Sequence, residues 1–436
     1  MEGRLQRRAG AFFYSLMIKK AVLISLSPNT SWRDAGRAKL FLLAPWRWSG
    51  WRTGEWIKKL EQAIKEKLGF KHAISFAAGR QALWAILNSL DLKEGDEVIT
   101  QAFTGVVVPN AIRWANGQPK FVDIDLKRFN LNLNSLEKHI TNRTRAIIIQ
   151  HTFGQVVNMD QVLAIAKKHR LFVIEDCAHA LGAKWLDRYV GTIGDAAIFS
   201  FGRDKIISSV AGGIAVTNND ELAKKLHERQ NQSPLVSRRQ VCQNLMHPIV
   251  MTLAVPTFFF LALGKFIIWF SQKTHLINKV YTVTEKQGQP PKYLTQKMPN
   301  AMAYLACHQL KQLDAFNRRR QQWAKLYRQE LSNLNQLTLP TGLDGATDVF
   351  LRYNILTSNP NKLIRQCLKK GIMLGNWYQS VITPPIGDNR LLNYQTDQCP
   401  MAEIATSQSV NLPTHPRLTK KDALKIVAVI KYATLH

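Results

Sequence analysis

The chain has 436 residues, 46% of them apolar, enough to bury one large or two ordinary globular domains. Its 59 Lys and Arg against 30 Asp and Glu give a net charge of +29, which calls for a polyanionic partner, an anionic membrane surface or simple tolerance. Five cysteines without a CxxC pair or a ligand-like grouping with histidine argue against a structural zinc site or a disulfide framework and favour a reducing cytosolic setting. No basic helix or sheet is interleaved with reading aromatics, so nucleic acid is not an expected partner.

The charge is unevenly placed: residues 1–60 carry 12 basic and 3 acidic residues, and residues 221–330 carry 17 and 5. Residues 1–50 read as a basic extension. The first 20 only loosely resemble a signal or transit segment, with no small-residue cleavage site, and Met17 is an alternative start of translation. Residues 51–228 read as the large domain, because helix-like and strand-like segments alternate from about 55 to 220. Helices are expected over 56–68, 81–90 and 159–169, and strands over 97–100, 120–124, 145–150, 171–175, 196–201 and 213–217. Several strands, such as Ala146-Ile147-Ile148-Ile149, are continuous apolar runs, as expected of a largely parallel sheet covered on both faces. Residues 229–290 read as an insertion. Residues 291–436 read as a long helix over 301–334 and a smaller α/β domain with a strand over 350–356 and helices over 362–370 and 420–432.

The chemistry is concentrated where strands end. Glu175-Asp176 follows one apolar strand, and Lys205, in Ser200-Phe201-Gly202-Arg203-Asp204-Lys205, follows another 29 residues later. Desolvation and nearby Arg203 lower the pKa of a lysine so placed, which prepares it to form an imine. An aspartate paired with a pyridine nitrogen keeps that ring protonated and able to take up electrons from a substrate carbon. Taken singly, each has an ordinary alternative: a helix cap for the aspartate, a solvated charge for the lysine. Ala77-Ala78-Gly79-Arg80-Gln81 leads from an apolar strand into a helix whose free N–H groups suit a phosphate, and Ser200 adds a hydroxyl.

Further ordered motifs accompany these: Gly95-Asp96-Glu97-Val98-Ile99, Phe121-Val122-Asp123-Ile124-Asp125, Gly154-Gln155 ahead of Met159-Asp160, Ile174-Glu175-Asp176-Cys177-Ala178-His179-Ala180-Leu181-Gly182-Ala183, and Gly212-Gly213. Together they resemble the DegT/StrS sugar aminotransferases, fold type I pyridoxal-phosphate enzymes, strongly over residues 52–230 and more faintly over 293–435. The resemblance implies a homodimer, a large domain with a mostly parallel mixed sheet covered by helices, and pyridoxal 5′-phosphate as cofactor. It implies that Lys205 carries the cofactor and moves the substrate proton, that Asp176 pairs with the ring nitrogen, and that Gly79, Arg80, Gln81 and Ser200 form the phosphate site. His179 stands where the family usually has Gln near the phenolic oxygen. Gly105 stands where an aromatic commonly stacks on the ring, so Phe103 or His179 supplies that face, or the cofactor is held more loosely. Thr295 stands where the family often sends an Asn to the phosphate across the dimer, with Lys297 in place of a usual Arg, and Trp377 and Tyr378 fall near a segment lining the substrate side, with packing of the small domain as their ordinary alternative. The implied reaction aminates a keto-sugar, nucleotide-linked in most of the family, with glutamate or a similar donor. Another pyridoxal-phosphate reaction, or a non-catalytic scaffold, remains the alternative.

Residues 229–284 contain no Asp or Glu, and 249–270 is a stretch of 22 residues whose only charge is Lys265. Its length could span a bilayer. Pro256, Gly264 and Lys265 interrupt it, however, and one crossing would separate Thr295 from Lys205. The expectation is a hairpin or interfacial helix pair, anchored by Trp269 and basic flanks, that holds the enzyme on the cytoplasmic face of an anionic membrane as a peripheral or monotopic protein. A buried dimer-contact helix is the alternative.

Overall fold

The computed structural model describes residues 21–279, 283–385 and 392–435. The signal-like segment and Met17 lie outside the described residues. The central sheet comprises β1 (His72–Phe76), β2 (Glu97–Gln101), β3 (Gln118–Val122), β4 (Thr144–Gln150), β5 (Phe172–Asp176), β6 (Ala196–Ser200) and β7 (Gly213–Thr217), in the order β1-β7-β6-β5-β4-β2-β3. β7 runs antiparallel to β1 and β6, and the other neighbours pair in parallel. The apolar run in β4 explains the layering. Successive strand residues point to opposite faces, so Ile147 and Ile149 enter one core while Ala146 and Ile148 enter another.

Helices cover both faces. α1 (Trp32–Leu43), α2 (Glu55–Leu68) and α5 (Met159–His169) contribute to the first core, α2 through Leu60, Ile64 and Leu68 at four-residue spacing. The second core takes Ala82 and Ile86 from α3 (Gly79–Asn88), Val108 and Ile112 from α4 (Val107–Trp114), and Leu222 and Leu226 from α6 (Asp220–Gln232). Parallel strands with covering helices place the strand ends, and the loops after them, on one rim of the sheet, where an α/β site is built.

The chain continues through α7 (Arg238–Ala254), α8 (Leu263–Lys273), α9 (Asn300–Leu310) and α10 (Leu313–Leu331). A smaller antiparallel sheet, β8 (Leu337–Thr338), β9 (Arg352–Thr357) and β10 (Ser409–Pro413), is accompanied by α11 (Pro360–Lys369), α12 (Pro400–Gln408) and α13 (Lys420–Leu435). Tyr327, Leu331, Tyr353, Cys367 and Ile430 share its core.

The structure departs from the sequence reading in two places. The helix expected over 301–334 is two helices, broken at Gln312 (φ −103°, ψ 1°). α9 is buried nearly all round in the first core, whereas α10 offers a one-sided stripe ending at Trp323, Tyr327 and Leu331 in the small core; the break lets the chain pass between them. The apolar run over 249–270 is a helix pair, one of the two forms expected for it: α7 ends at Ala254, a turn occupies 255–262, and α8 follows. Among the described residues no helix is long and apolar enough to cross a membrane. A Cβ at Gly264 would lie 2.0 Å from the Ala254 carbonyl oxygen, so the closeness of the two helices requires glycine there. Residues 21–50, read as an extension, fold onto the body: Val22–Leu23 pairs in parallel with Ile372–Met373, and Ala38 and Phe41 of α1 enter the first core.

Candidate active site

Asp176 ends β5 and is buried; its carboxylate accepts one hydrogen bond, from the Ala178 N–H at 3.0 Å. Burial raises its pKa above the ordinary carboxylate range, against the Ala178 N–H, Lys205 and His151, which favour the anion. Lys205 lies in the loop after β6, the strand paired in parallel with β5. Burial lowers its pKa to about 8; Asp176 and Asp204 oppose that shift and Arg352 adds to it. A neighbouring pair of strands thus delivers an acid short of donors and an amine poised near neutrality.

His179 packs parallel to the Phe153 ring, with centroids 6.0 Å apart and planes 4° apart. Its Nδ1 accepts from the Phe153 N–H at 3.3 Å, which leaves the proton on Nε2 when the ring is neutral. Burial, with Lys205 and Arg352 nearby, holds its pKa well below the ordinary histidine value. His179 is therefore a neutral Nε2–H donor coupled to the lysine. Phe103 is fully buried behind it, packing on Phe129, Phe153 and Tyr378, with no ring contact to His179. Of the two residues expected to supply the ring face, His179 is the one coupled to Lys205. A Cβ at Gly105 would meet only ordinary van der Waals contacts, 3.6 Å from Val107 and 3.9 Å from Thr383, so a Cβ would fit there.

The first turn of α3 presses on the end of β6. A Cβ on Gly79 would lie 2.8 Å from the Ser200 Cβ, and one on Gly213 would lie 2.3 Å from the Gly79 nitrogen, so neither position tolerates a side chain without movement. This brings the helix N-terminus and the Ser200 hydroxyl together. The side chains of the next two residues are engaged elsewhere. The Arg80 guanidinium pairs with Glu285, and Gln81 Oε1 accepts from the Gln296 N–H at 3.1 Å. Thr295, expected to reach across a dimer, is buried with its hydroxyl bonded to Ser233 at 2.7 Å. Next to it, the Gln296 carbonyl accepts from the Ala77 N–H and Lys297 bridges Phe76, so the segment runs beside the start of α3 in its own chain.

Three contributors had no motif to announce them. Arg352, at the start of β9, lies 5.8 Å from the Trp377 ring centroid and acts electrostatically on both Lys205 and His179. His151 bonds Glu175 at 3.1 Å, and with Cys177 these form a buried cluster whose ligand atoms lie within 4.8 Å of one another. Glu175 is already satisfied: it accepts from the N–H groups of Gly191, Ile193 and Gly194, and these bonds with His151 outweigh burial and hold its pKa low. Phe153, in the left-handed region at φ 53°, supplies both the ring and the N–H that orient His179.

A buried acid short of donors, a lysine of lowered pKa, a neutral histidine donor and a side-chain-free helix N-terminus beside a hydroxyl together fit the ring nitrogen, aldehyde, phenolic oxygen and phosphate of pyridoxal 5′-phosphate. An uncharacterised protein of Methanocaldococcus jannaschii is 30% identical over 390 residues, covering 88% of this chain and 91% of that protein. The GDP-perosamine synthase of Caulobacter vibrioides is 29% identical over 385 residues, covering 87% and 90%. The solved aminotransferase of Psychrobacter cryohalolentis superposes with a TM-score of 0.73 at 22% identity, covering 93% and 97%. The sequence profile of one family matches residues 45–251 and 283–431, and the chain belongs to it: the DegT/DnrJ/EryC1/StrS aminotransferase family.

Proposed function

We propose that the enzyme uses pyridoxal 5′-phosphate to convert the keto group of a nucleotide-linked sugar to an amine, with an amino acid such as glutamate as donor. The observation that carries this is that Asp176, at the end of β5, and Lys205, in the loop after the adjacent β6, act electrostatically on each other beside the Gly79–Ser200 contact. The GDP-perosamine synthase among the relatives supports a nucleotide sugar as substrate. The cofactor supplies an electron sink for the bond broken at the substrate carbon. Lys205 Nζ would hold the cofactor and move the substrate proton, a task suited to an amine whose pKa burial lowers to about 8. Asp176 would hold the ring nitrogen protonated, the His179 Nε2–H would donate to the phenolic oxygen, and the Gly79 N–H with the Ser200 hydroxyl would bind phosphate. The test is amine transfer from glutamate to a panel of nucleotide-linked keto-sugars, followed by product mass. Aminated sugar is expected; transfer only to α-keto acids would overturn the reading.

We also place the enzyme, as a homodimer, against an anionic membrane surface. The dimer rests on the family resemblance and is tested by light scattering. The membrane contact rests on exposed side chains: Leu263, Phe266, Trp269 and Phe270 of α8, with Trp32, Leu40 and Leu43 of α1 and Trp46 beyond it, the last 79% exposed. Lys265 and Lys273 flank the first group, and Arg33, Lys39 and Arg47 the second; Asp34, the only acidic residue between positions 21 and 54, is buried. Aromatics interleaved with cations and free of exposed carboxylates match the interface of an anionic bilayer.

A further inference from the structure

The loop that carries Lys205 is tied down, residue by residue, from two segments that lie outside the family match at 45–251 and 283–431. The Arg203 guanidinium donates to the Asn278 carbonyl at 2.8 Å and to its side-chain oxygen. Asp204 Oδ1 accepts from the Ser27 N–H at 2.9 Å. Asn29 Nδ2 donates to the carbonyl of Lys205 itself and to that of Ile206 at 3.0 Å. Four consecutive residues, 203–206, thus have a partner in one of the two segments.

The ties are anchored in turn. Asn29 is 2% exposed; its side-chain oxygen accepts from Arg320 at 2.9 Å and its carbonyl from Gln309 at 3.2 Å. The Ser27 hydroxyl bonds His247 of α7 at 2.8 Å, and Asn278 donates to Asn244 of the same helix at 3.1 Å. Leu26 packs against the cluster of Val250, Met251 and Ile277, which joins both segments to the helix pair. Leu26 and Ser27 both have positive φ, 69° and 56°, a conformation that non-glycine residues rarely adopt and that sets the direction in which the Ser27 N–H points.

We infer that residues 25–30 and Asn278 form a brace that positions the Lys205 loop, with Asn29 and Asn278 as positioning residues for the lysine. The brace keeps the partly buried Lys205 beside Asp176 of β5, Arg352 of β9, His179 and its neighbour Asp204, and limits its contact with water. Burial is the largest influence on the Lys205 amine, so loosening the brace admits water and shifts the amine toward ordinary lysine behaviour.

The inference rests on Lys205 being the cofactor lysine, and its test reads the lysine without cofactor. The apoprotein is treated with formaldehyde and cyanoborohydride across a pH series, and methylation of the Lys205 peptide is followed by mass spectrometry. Asn29→Ala should move the midpoint up by about one pH unit, roughly tenfold slower labelling at neutral pH. Asn278→Ala should shift it the same way but less, because its backbone carbonyl still accepts from Arg203. An unchanged midpoint in a folded Asn29→Ala overturns the inference, including when the melting temperature falls, because that is what a merely structural contact would give. If Asn29→Ala does not fold, Asn278→Ala decides alone, and an unchanged midpoint there overturns the inference. Failure of the cofactor assignment is separate: it would show as borohydride-fixed cofactor on another lysine in the wild-type protein, whatever the midpoints.

Discussion

Asp176 and Lys205 each stand in a state that isolated side chains avoid, the acid pushed up by burial and the amine pushed down to about 8. That mutual placement has two consequences. Asp176→Asn should retain cofactor, since the amide still reaches the ring nitrogen, yet lose at least about 100-fold in single-turnover amine transfer, because it cannot hold that nitrogen protonated. Near-native turnover would reduce Asp176 to a strand-end cap. For Lys205 the folded pKa lies below the ordinary value of 10.5, so between about pH 8 and that value the unfolded chain binds more protons and stability rises with pH. In urea melts of the apoprotein, the deficit of wild type relative to Lys205→Met should shrink across that window. Arg352→Gln, which removes a repelling cation, should raise the midpoint of Lys205 methylation; a fall would contradict the electrostatic assignment. The sequence made Asp176, Lys205, Gly79, Ser200 and His179 legible because each sits in an ordered motif. It hid Arg352, which comes from a strand about 150 residues away in sequence, and the engagement of Arg80 by Glu285, because only folding brings those partners together.

At the scale of the elements, the helix pair α7–α8 has two different halves. Val241, Leu245, Val250, Met251 and Ala254 of α7 are buried, and His247 bonds the Ser27 hydroxyl, so excising 246–270 would damage the brace along with any lipid contact. Substitution of exposed positions separates the two roles. Phe266→Ser, Trp269→Ser and Phe270→Ser together should release the protein from vesicles rich in anionic lipid while leaving the cofactor spectrum intact. Each large apolar side chain that leaves water contributes roughly 1.5–3 kcal/mol. Retention by the vesicles would take α8 out of the contact and leave it to α1 and the surface charge, whereas failure of the unaltered protein to bind such vesicles would end the membrane reading. The apolar run over 249–270 was visible in sequence. The turn that splits it was marked by Pro256 and Gly264, but the left-handed Leu261 and Ala262 that complete it had no sequence signal.

For the whole molecule, the mostly parallel sheet was legible because strands covered on both faces must be apolar throughout, and residues 146–149 are. The break between α9 and α10 was not, because no Pro or Gly marks it and the change is in which core each helix serves. The charge of +29 adds a property of the whole surface: vesicle binding should weaken steeply as salt shortens the Debye length. Cosedimentation at low and high ionic strength checks this, and salt-independent binding would assign the contact to the apolar side chains alone.

The claim on which the rest depends is that Lys205 holds the cofactor. Borohydride reduction of the holoenzyme, followed by peptide mass spectrometry, fixes the cofactor where it is bound. One labelled peptide, carrying Lys205, is expected, with loss of both label and visible absorbance in a folded Lys205→Ala. Label on any other lysine, or a reducible band that persists in Lys205→Ala, would contradict it.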